Sequence, residues 1–322
     1  MGTHTTHPML HGWRFHAMLL IILLSAIGYL AFSLWGGWHE VVAALGKVGI
    51  AGTLIALTLS LVNYLVRFVR WQKFLHKLGH SVYWPESLRI YLAGFGLTIL
   101  PGKAGEAIRS VFLKKHQVSY PESLAAFFSD QLSNLISMML LVSVGLWAYP
   151  QAKPVIIVLG SLILVALLLL QQTKWLHAFE ALAKRKFPAK IAHLLNHSIE
   201  IVLHSKRCFS LPMLVYGIAL GLIAWGAEGV AFYYIMHVLG SDMSLQTALF
   251  IYAFSMLVGA VSFLPGGLGG TEATMVALLI LNHIDQPHAV AATVLIRLAT
   301  LWFAVALGVV AMTLPERRPR AG

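Results

Sequence analysis

The sequence predicts an all-α polytopic membrane protein, with about six full transmembrane helices and two re-entrant helical hairpins arranged as two inverted-topology repeats. Three observations carry this prediction. Of the 322 residues, 58% are hydrophobic and only 11% are charged, against about 25% charged in soluble domains. Six apolar runs are long enough to cross a bilayer. Two further apolar regions are each interrupted by proline and glycine near their middle.

The composition also excludes several classes of protein. A mean hydropathy of +0.78 leaves too few polar groups to cover a soluble surface. The net charge is +11, but the basic residues lie in short loops between apolar runs, as membrane topology requires. We therefore expect membrane lipid and not nucleic acid as the partner, with oligomerisation left open. The single cysteine, Cys208, excludes an intramolecular disulfide and a cysteine-rich metal site.

Six runs are predicted to span about 30 Å of hydrocarbon, which takes about 20 helical residues. They are residues 17–35, 48–68, 123–148, 154–172, 211–236 and 289–313. The first run is too long for the apolar part of a signal peptide and lacks a clear cleavage site, so we interpret it as a retained helix. All six belong to one integral membrane domain, residues 1–322.

The two interrupted regions are residues 87–113 and 246–282. Proline and glycine break helices, and only 13 residues separate Arg89 from Lys103 in the first region, too few for an ordinary span. We interpret each region as two half-helices that enter and leave by the same face of the membrane. Two short full crossings are the alternative.

The distribution of basic residues tests this topology through the positive-inside rule. With a cytoplasmic N-terminus, all of the 23 Lys and Arg residues fall on the inner side except Lys47, Lys153 and Arg297. Arg67, Arg70 and Arg109 are among those assigned to the inner side. The bias predicts a multi-pass membrane protein with both termini in the cytoplasm. Two short crossings would give the same bias, so that alternative stays open.

The order of elements repeats within the chain. Residues 14–149 and 153–313 each contain a span, a span, a hairpin and a span, but they start from opposite sides of the membrane. A Leu-Gly pair precedes each hairpin, at residues 78–79 and 239–240. Inverted repeats suit alternating access around a site at the membrane midplane. A basic connector, residues 174–208, has apolar stripes that predict amphipathic helices on the inner leaflet or, alternatively, packed on the bundle.

The hairpin tips are the candidate binding site. A half-helix N-terminus near mid-bilayer carries unpaired N–H groups and partial positive charge, which suits a phosphate or carboxylate. The candidate residues there are Pro101, Gly102, Gly105 and Glu106 in the first hairpin, and Pro265, Gly266, Gly269 and Glu272 in the second. The two glutamates could bind a cationic head group, carry a proton or pair with a basic residue. The alternative is that the glycines only permit tight turns and close helix packing.

Further charges lie within apolar sequence. Arg109 follows Glu106 by three residues, so the two can pair on one helix face. Arg67 and Glu228 each lie 12 residues before the glycine of a Leu-Gly pair, and Asp130 and Arg297 lie inside predicted spans. We expect two polar clusters that line one cavity, with structural ion pairs as the alternative.

The sequence contains no recognisable catalytic site. The glycine-rich stretch at residues 266–270 lacks the lysine of a phosphate-binding loop, and neither a metalloprotease motif nor a nucleophile elbow is present. We therefore predict no catalytic residue, no metal and no cofactor, and a protein that is not an enzyme.

The tip motifs resemble those of a known family. The motifs are Leu-Pro-Gly-x-x-Gly-Glu-x-x-Arg at 100–109, Phe-Leu-Pro-Gly-Gly-Leu-Gly at 263–269 with Thr-Glu-Ala at 271–273, and Arg297 within Ile-Arg-Leu. Over about residues 15–313 the chain resembles the lysylphosphatidylglycerol synthase transmembrane region family, flippase-like integral membrane proteins. It departs from the family at Asp130-Gln131, where Glu-Arg is frequent. No aminoacyl-transferase domain is recognisable, so the resemblance implies a stand-alone member and lipid translocation.

The leading hypothesis is a lipid flippase or lipid transporter that moves a charged or isoprenoid lipid, such as an anionic phospholipid, between leaflets. Three alternatives stay open. They are a proton-coupled secondary transporter of a small anion, an intramembrane transferase, and a non-catalytic accessory of envelope lipid biosynthesis, which includes hopanoid and glycolipid pathways.

Overall fold

The computed structural model describes residues 37–98, 108–145, 149–150, 153–171, 189–262 and 264–315, and scattered positions between 20 and 31. Within these ranges all regular structure is helical, and no strand is present. The α-helices are α1 (Trp38–Lys77), α2 (Trp84–Gly96), α3 (Arg109–Leu113), α4 (Tyr120–Val144), α5 (Lys153–Gln171), α6 (Ala189–Cys208), α7 (Leu211–Val238), α8 (Leu245–Val261), α9 (Gly270–Leu281), α10 (Gln286–Arg297) and α11 (Phe303–Thr313). The all-helical class predicted from the sequence is therefore confirmed.

Four helical segments of the described chain are long and apolar enough to cross a membrane. They are α1, α4, α7 and the continuous segment Gln286–Thr313, in which a π-helical turn, Leu298–Trp302, joins α10 to α11. They correspond to the spans predicted at 48–68, 123–148, 211–236 and 289–313. The boundaries of the first were wrong, because α1 runs from Trp38 to Lys77 with a kink at Gly49, where φ is 63°.

The other predicted elements are described in part. The span predicted at 154–172 coincides with the 19-residue α5, and the described positions between 20 and 31 are helical, as a span at 17–35 requires. Residues 174–188 of the predicted connector lie outside the described residues. The remainder is α6, which packs against α4 and buries Ile199, Ser205 and Cys208. Its position on the inner leaflet stays a prediction.

The described residues of each broken region include two helices. In the second region, α8 and α9 pack against each other and are separated by a break that contains the 3-10 turn Pro265–Gly267. In the first region, α2 and α3 flank a tip at residues 99–107, which lies outside the described residues. In the second region, the helices therefore end on either side of the break that its proline and glycine predicted.

The turns before and after each hairpin have the same geometry. Gly79 and Gly240 have φ values of 99° and 94°, and in each case the next residue donates a 3.0 Å hydrogen bond to the carbonyl five positions earlier. The two non-glycine residues with positive φ in the described chain are Gln117 and His283. Each lies two residues before the N-cap of a helix with proline in its first turn.

The apolar core forms two clusters, one around each hairpin. The first cluster joins the C-terminal half of α1 to α2, α3 and α11, and it is rich in aromatic side chains such as Phe68, Trp71 and Tyr91. The second joins α7, α8, α9 and α10. The α2–α11 contact is close, because a Cβ at Gly308 would lie 2.0 Å from the backbone nitrogen of Gly96. The space between the two clusters holds the candidate site.

Candidate functional site

A cavity of about 180 Å³ lies where the two halves of the chain meet. Its lining residues come from helices on both sides and from the tip of the second hairpin. They are Tyr64, Arg67, Phe95, Thr98, Met138, Trp225, Glu228, Met256, Gly259, Ala260, Leu264, Gly266, Gly267, Thr271, Arg297, Thr300, Leu301 and Ala304. The cavity therefore combines three buried charged side chains with apolar and aromatic walls.

Arg297 is the most deeply placed charge at the cavity. It is the last residue of α10, about 17 Å along the helix at 1.5 Å per residue, and only 1% of its surface is exposed. The π-helical turn follows at once, and the Tyr64 hydroxyl donates to the Thr300 carbonyl in that turn. Single π-turns within α-helices occur frequently at functional sites.

Arg297 joins its helix to the second hairpin. Its Nε donates to Glu272 Oε1 at 2.6 Å, and one Nη donates to the Gly266 carbonyl at 2.9 Å. The other oxygen of Glu272 accepts the Gly269 N–H at 2.7 Å. The structure thus brings together three residues that the sequence singled out, Gly266, Glu272 and Arg297. The N–H of Gly269, before α9, is satisfied by this carboxylate.

Arg67 and Glu228 line the cavity from helices α1 and α7. Arg67 is 6% exposed, and its guanidinium lies 5.1 Å from the Trp225 ring centre and 5.6 Å from that of Phe95. Glu228 is 3% exposed and accepts a 2.6 Å hydrogen bond from the Tyr252 hydroxyl. Each of these two residues lies 12 positions before a glycine of positive φ, Gly79 or Gly240, and the two carry opposite charge.

Asp130 lies away from the cavity, contrary to the prediction. It pairs with Arg70, whose Nε donates to Asp130 Oδ1 at 2.8 Å and whose Nη atoms donate to Asn134 and to the Gly217 carbonyl. Both side chains are fully buried between α1, α4 and α7. Arg70 is thus buried in the bundle, because α1 continues past its apolar run and Asp130 compensates the buried charge. Its assignment to the inner side of the membrane stays a prediction.

Arg109 also lies inside the bundle. It is 3% exposed, its Nε donates to the Tyr91 carbonyl at 3.1 Å, and its guanidinium lies 4.0 Å from the Tyr91 ring centre. Aromatic faces attract a guanidinium and offset part of the loss of water. Arg109 is separate from the cavity lining, although Phe95 contacts both Arg67 and Arg109.

The remaining predicted residues fall into two groups. Pro101, Gly102, Gly105 and Glu106 lie outside the described residues, so the predicted Glu106–Arg109 pair stays a prediction. Pro265 begins the 3-10 turn of the second tip. Gly269 has φ of 85°, a conformation that favours glycine, and precedes the first residue of α9.

Sequence reasoning missed Arg70, Trp225 and Tyr252 as members of these networks. A signal was present, because Asn63, Arg67 and Arg70 recur at helical spacing on one face of α1. Asp130 and Asn134 follow the same spacing on α4, and a polar stripe inside an apolar helix indicates a face turned to the bundle interior.

Within the described ranges, no three His, Cys, Asp or Glu side chains are placed to hold a metal ion.

These features define a polytopic helical membrane protein with a polar site between two halves, one of which contains a broken helix at that site. Comparison with known sequences gives the family. The chain belongs to the lysylphosphatidylglycerol synthase transmembrane region family, whose model matches residues 17–308. The resemblance drawn from the tip motifs and Arg297 is therefore confirmed.

Relatives that are themselves named membrane proteins support the membrane assignment. A UPF0104 membrane protein of Pyrococcus horikoshii is 26% identical over 90% of this chain and 94% of its own length. A UPF0104 membrane protein of Methanothermobacter thermautotrophicus is 23% identical over 92% and 95%, respectively. One from Methanocaldococcus jannaschii is 25% identical over 68% of this chain and 94% of its own length.

Proposed function

We propose that this protein is a lipid flippase of the bacterial inner membrane, which moves a charged or isoprenoid lipid between leaflets through the cavity between its two halves. It acts as a transporter and not as an enzyme, and both termini face the cytoplasm. The observation that carries the proposal is the cavity itself. Its inner wall has buried charges for a head group, and Leu264 at its edge is 46% exposed, which suits acyl chains that stay in the bilayer.

The shape of the second hairpin supports a re-entrant path. Helix α9 has 12 residues and is about 18 Å long, and α8 has 17 residues and is about 25 Å long. Both are shorter than about 30 Å of hydrocarbon. A helix pair that enters and returns by one face places its tip near the midplane, where irregular backbone is tolerated if it lines a cavity.

The matched turns support two inverted repeats. Gly79 and Gly240 precede the hairpins, and Gln117 and His283 follow them, with the same backbone geometry in both halves. Two halves of similar structure and opposite orientation can exchange conformations, so that a site between them opens to one side and then to the other. Arg297 and Glu272 hold the second tip in register with the last span during this exchange.

Translocation of lipid by purified protein in proteoliposomes tests the proposal. The panel contains anionic, zwitterionic and isoprenoid lipids, and wild type is compared with Arg297→Ala. Arg207→Ala, an exposed position on α6, is the matched control. We expect one lipid class to move with wild type and with the control, and to stop moving with Arg297→Ala.

Two results would contradict the proposal. If folded wild-type protein moves no lipid, solute transport or an accessory role replaces it. If Arg297→Ala moves lipid at the wild-type rate, the site is elsewhere.

A further inference from the structure

A second cavity, of about 230 Å³, lies beside the kink in α1 and shares no lining residue with the polar cavity described above. Its walls come from α1, α7, α10 and the π-helical turn, and in the described chain they are apolar except for Thr53. The Thr53 hydroxyl is already used, because it donates a 2.8 Å hydrogen bond to the Gly49 carbonyl. The lining therefore offers a ligand apolar contacts and no charged side chain.

The kink and two small side chains leave this space open. Gly49 has φ of 63° and ψ of −174° within α1, and the cavity is lined by Leu45 and Val48 before the kink and by Ala56 after it. Ala299 in the π-helical turn is equally small. An empty apolar cavity is unfavourable because its lining atoms lose dispersion contacts, and water is a poor occupant where it finds no polar partners.

The mouth of the cavity lies on a surface that faces hydrocarbon. Leu45 and Leu298 line the cavity and are 47% and 44% exposed, so the cavity opens between them. Leu298 lies about 18 Å from the start of the membrane-crossing segment Gln286–Thr313, which is hydrocarbon depth whichever way the segment crosses. Ile50 and Leu54, on the same part of α1, are also exposed. The groups next to the mouth are therefore the acyl chains of the bilayer.

We propose that this cavity binds one acyl chain of a membrane phospholipid, whose head group stays outside it. The described lining contains no cation that could bind a phosphate or a carboxylate, so it recognises the chain alone. Because the chain moves from one hydrocarbon environment to another, its binding depends on close packing against the walls. Arg297 and Thr300 line the polar cavity, whereas Leu298 and Ala299 line this one. A bound chain therefore supports the π-helical turn from its apolar side.

Photo-crosslinking tests this proposal on wild-type protein purified in detergent. The probe is phosphatidylcholine that carries a diazirine near the end of one acyl chain, and the labelled residues are mapped by mass spectrometry. Val48 and Leu295 line the cavity but are only 7% and 6% exposed, so a chain reaches them only from inside. We expect their labelling to saturate as the probe is added, whereas labelling of the exposed Ile50 and Leu54 should rise without saturation.

Two variants of α1 and two competitors sharpen the test. Ala56→Leu places a larger side chain in the cavity and should abolish the labelling of Val48 and Leu295. Ala51→Leu makes the same change at an exposed position of α1 and should leave that labelling unchanged. Unlabelled phosphatidylcholine should displace the probe, whereas glycerophosphocholine, which has the same head group and no chains, should not.

Three results would contradict the proposal. They are labelling of Ile50 and Leu54 without Val48 and Leu295, displacement of the probe by glycerophosphocholine, and displacement by a free fatty acid but not by phosphatidylcholine. Wild-type protein decides all three, so a folding defect in Ala56→Leu does not prevent the test. Because the two cavities share no lining residue, occupancy of this site does not depend on the flippase proposal, and either can fail alone.

Discussion

Two buried arginine–carboxylate pairs lie in the two halves of this protein and differ in their surroundings. Arg70–Asp130 joins α1 to α4 and is enclosed by Asn134 and the Gly217 carbonyl. Arg297–Glu272 joins the last span to the tip of the second hairpin, and Arg297 lines the cavity. The depth of the charge does not separate them, because Asp130 and Arg297 lie about 15 Å and 17 Å along their helices.

The comparison teaches that an ion pair in a membrane-spanning helix acquires its role from its neighbours. Packed between three continuous helices, the Arg70–Asp130 pair fixes how those helices contact one another. At a broken helix, the Arg297–Glu272 pair fixes a turn whose backbone borders a cavity. We therefore assign a structural role to the first pair, and under the proposed function the second pair takes part in translocation.

The largest expected effect is on stability, at the structural pair. Asp130→Asn leaves Arg70 buried without its counter-charge, which costs about 3–5 kcal/mol in the free energy of unfolding. Denaturation of purified protein in detergent measures this cost. The neutral double variant Arg70→Met/Asp130→Leu should recover most of the loss, since a well-packed apolar pair can replace a buried ion pair. If Asp130→Asn were as stable as wild type, the Arg70–Asp130 pair would have no structural role.

A smaller effect is expected where helices approach through glycine. A Cβ at Gly308 meets backbone atoms of Gly96 at 2.0 and 2.6 Å, whereas a Cβ at Gly259 meets the Thr271 hydroxyl at 1.9 Å. Because a hydroxyl can rotate away and backbone cannot, Gly308→Ala should destabilise by about 1–3 kcal/mol and more than Gly259→Ala. Gly226→Ala, with open space around its Cβ, is the control. Thermal melting gives the order, and the reverse order would contradict it.

The smallest expected effect is at the two matched turns, where Gly79 and Gly240 occupy equivalent backbone positions before the hairpins. Gly79 and Gly240 have positive φ and open space where a Cβ would lie, so alanine adds only backbone strain, about 1 kcal/mol at each. We expect equal decreases in stability for Gly79→Ala and Gly240→Ala, measured in the same denaturation assay. A clear difference between the two would show that the turns are not equivalent.

The sequence predicted helices well where apolar runs have sharp ends. Helix α7 was predicted at 211–236 and observed at Leu211–Val238, because polar loops flank it on both sides. Helix α1 was predicted to end at 68, close to its first arginines. Its actual end at Lys77 depends on tertiary contacts: Arg67 and Arg70 are tolerated inside the bundle because aromatic rings and Asp130 surround them.

The residues of the candidate site were predictable in part, where the sequence around a charge shows that it needs a partner. Glu272 and Arg297 stand out because a carboxylate beside a broken helix and an arginine deep in a span both need a partner. The partner of Asp130 was not found, since the positive-inside rule concerns the side of the membrane and does not show which arginines are buried in the bundle. The helical spacing of Asn63, Arg67 and Arg70 would have corrected this, because it places them on one buried face.

Lipid translocation by two neutral double variants tests most directly whether the two ion pairs have different roles. The variants are Arg70→Met/Asp130→Leu and Arg297→Met/Glu272→Leu, and the rate is measured per folded protein in proteoliposomes. We expect the first variant to move lipid at close to the wild-type rate and the second variant, though folded, to move none. Transport by the second variant at the wild-type rate, or loss of transport in a folded first variant, would contradict the assignment of the two roles.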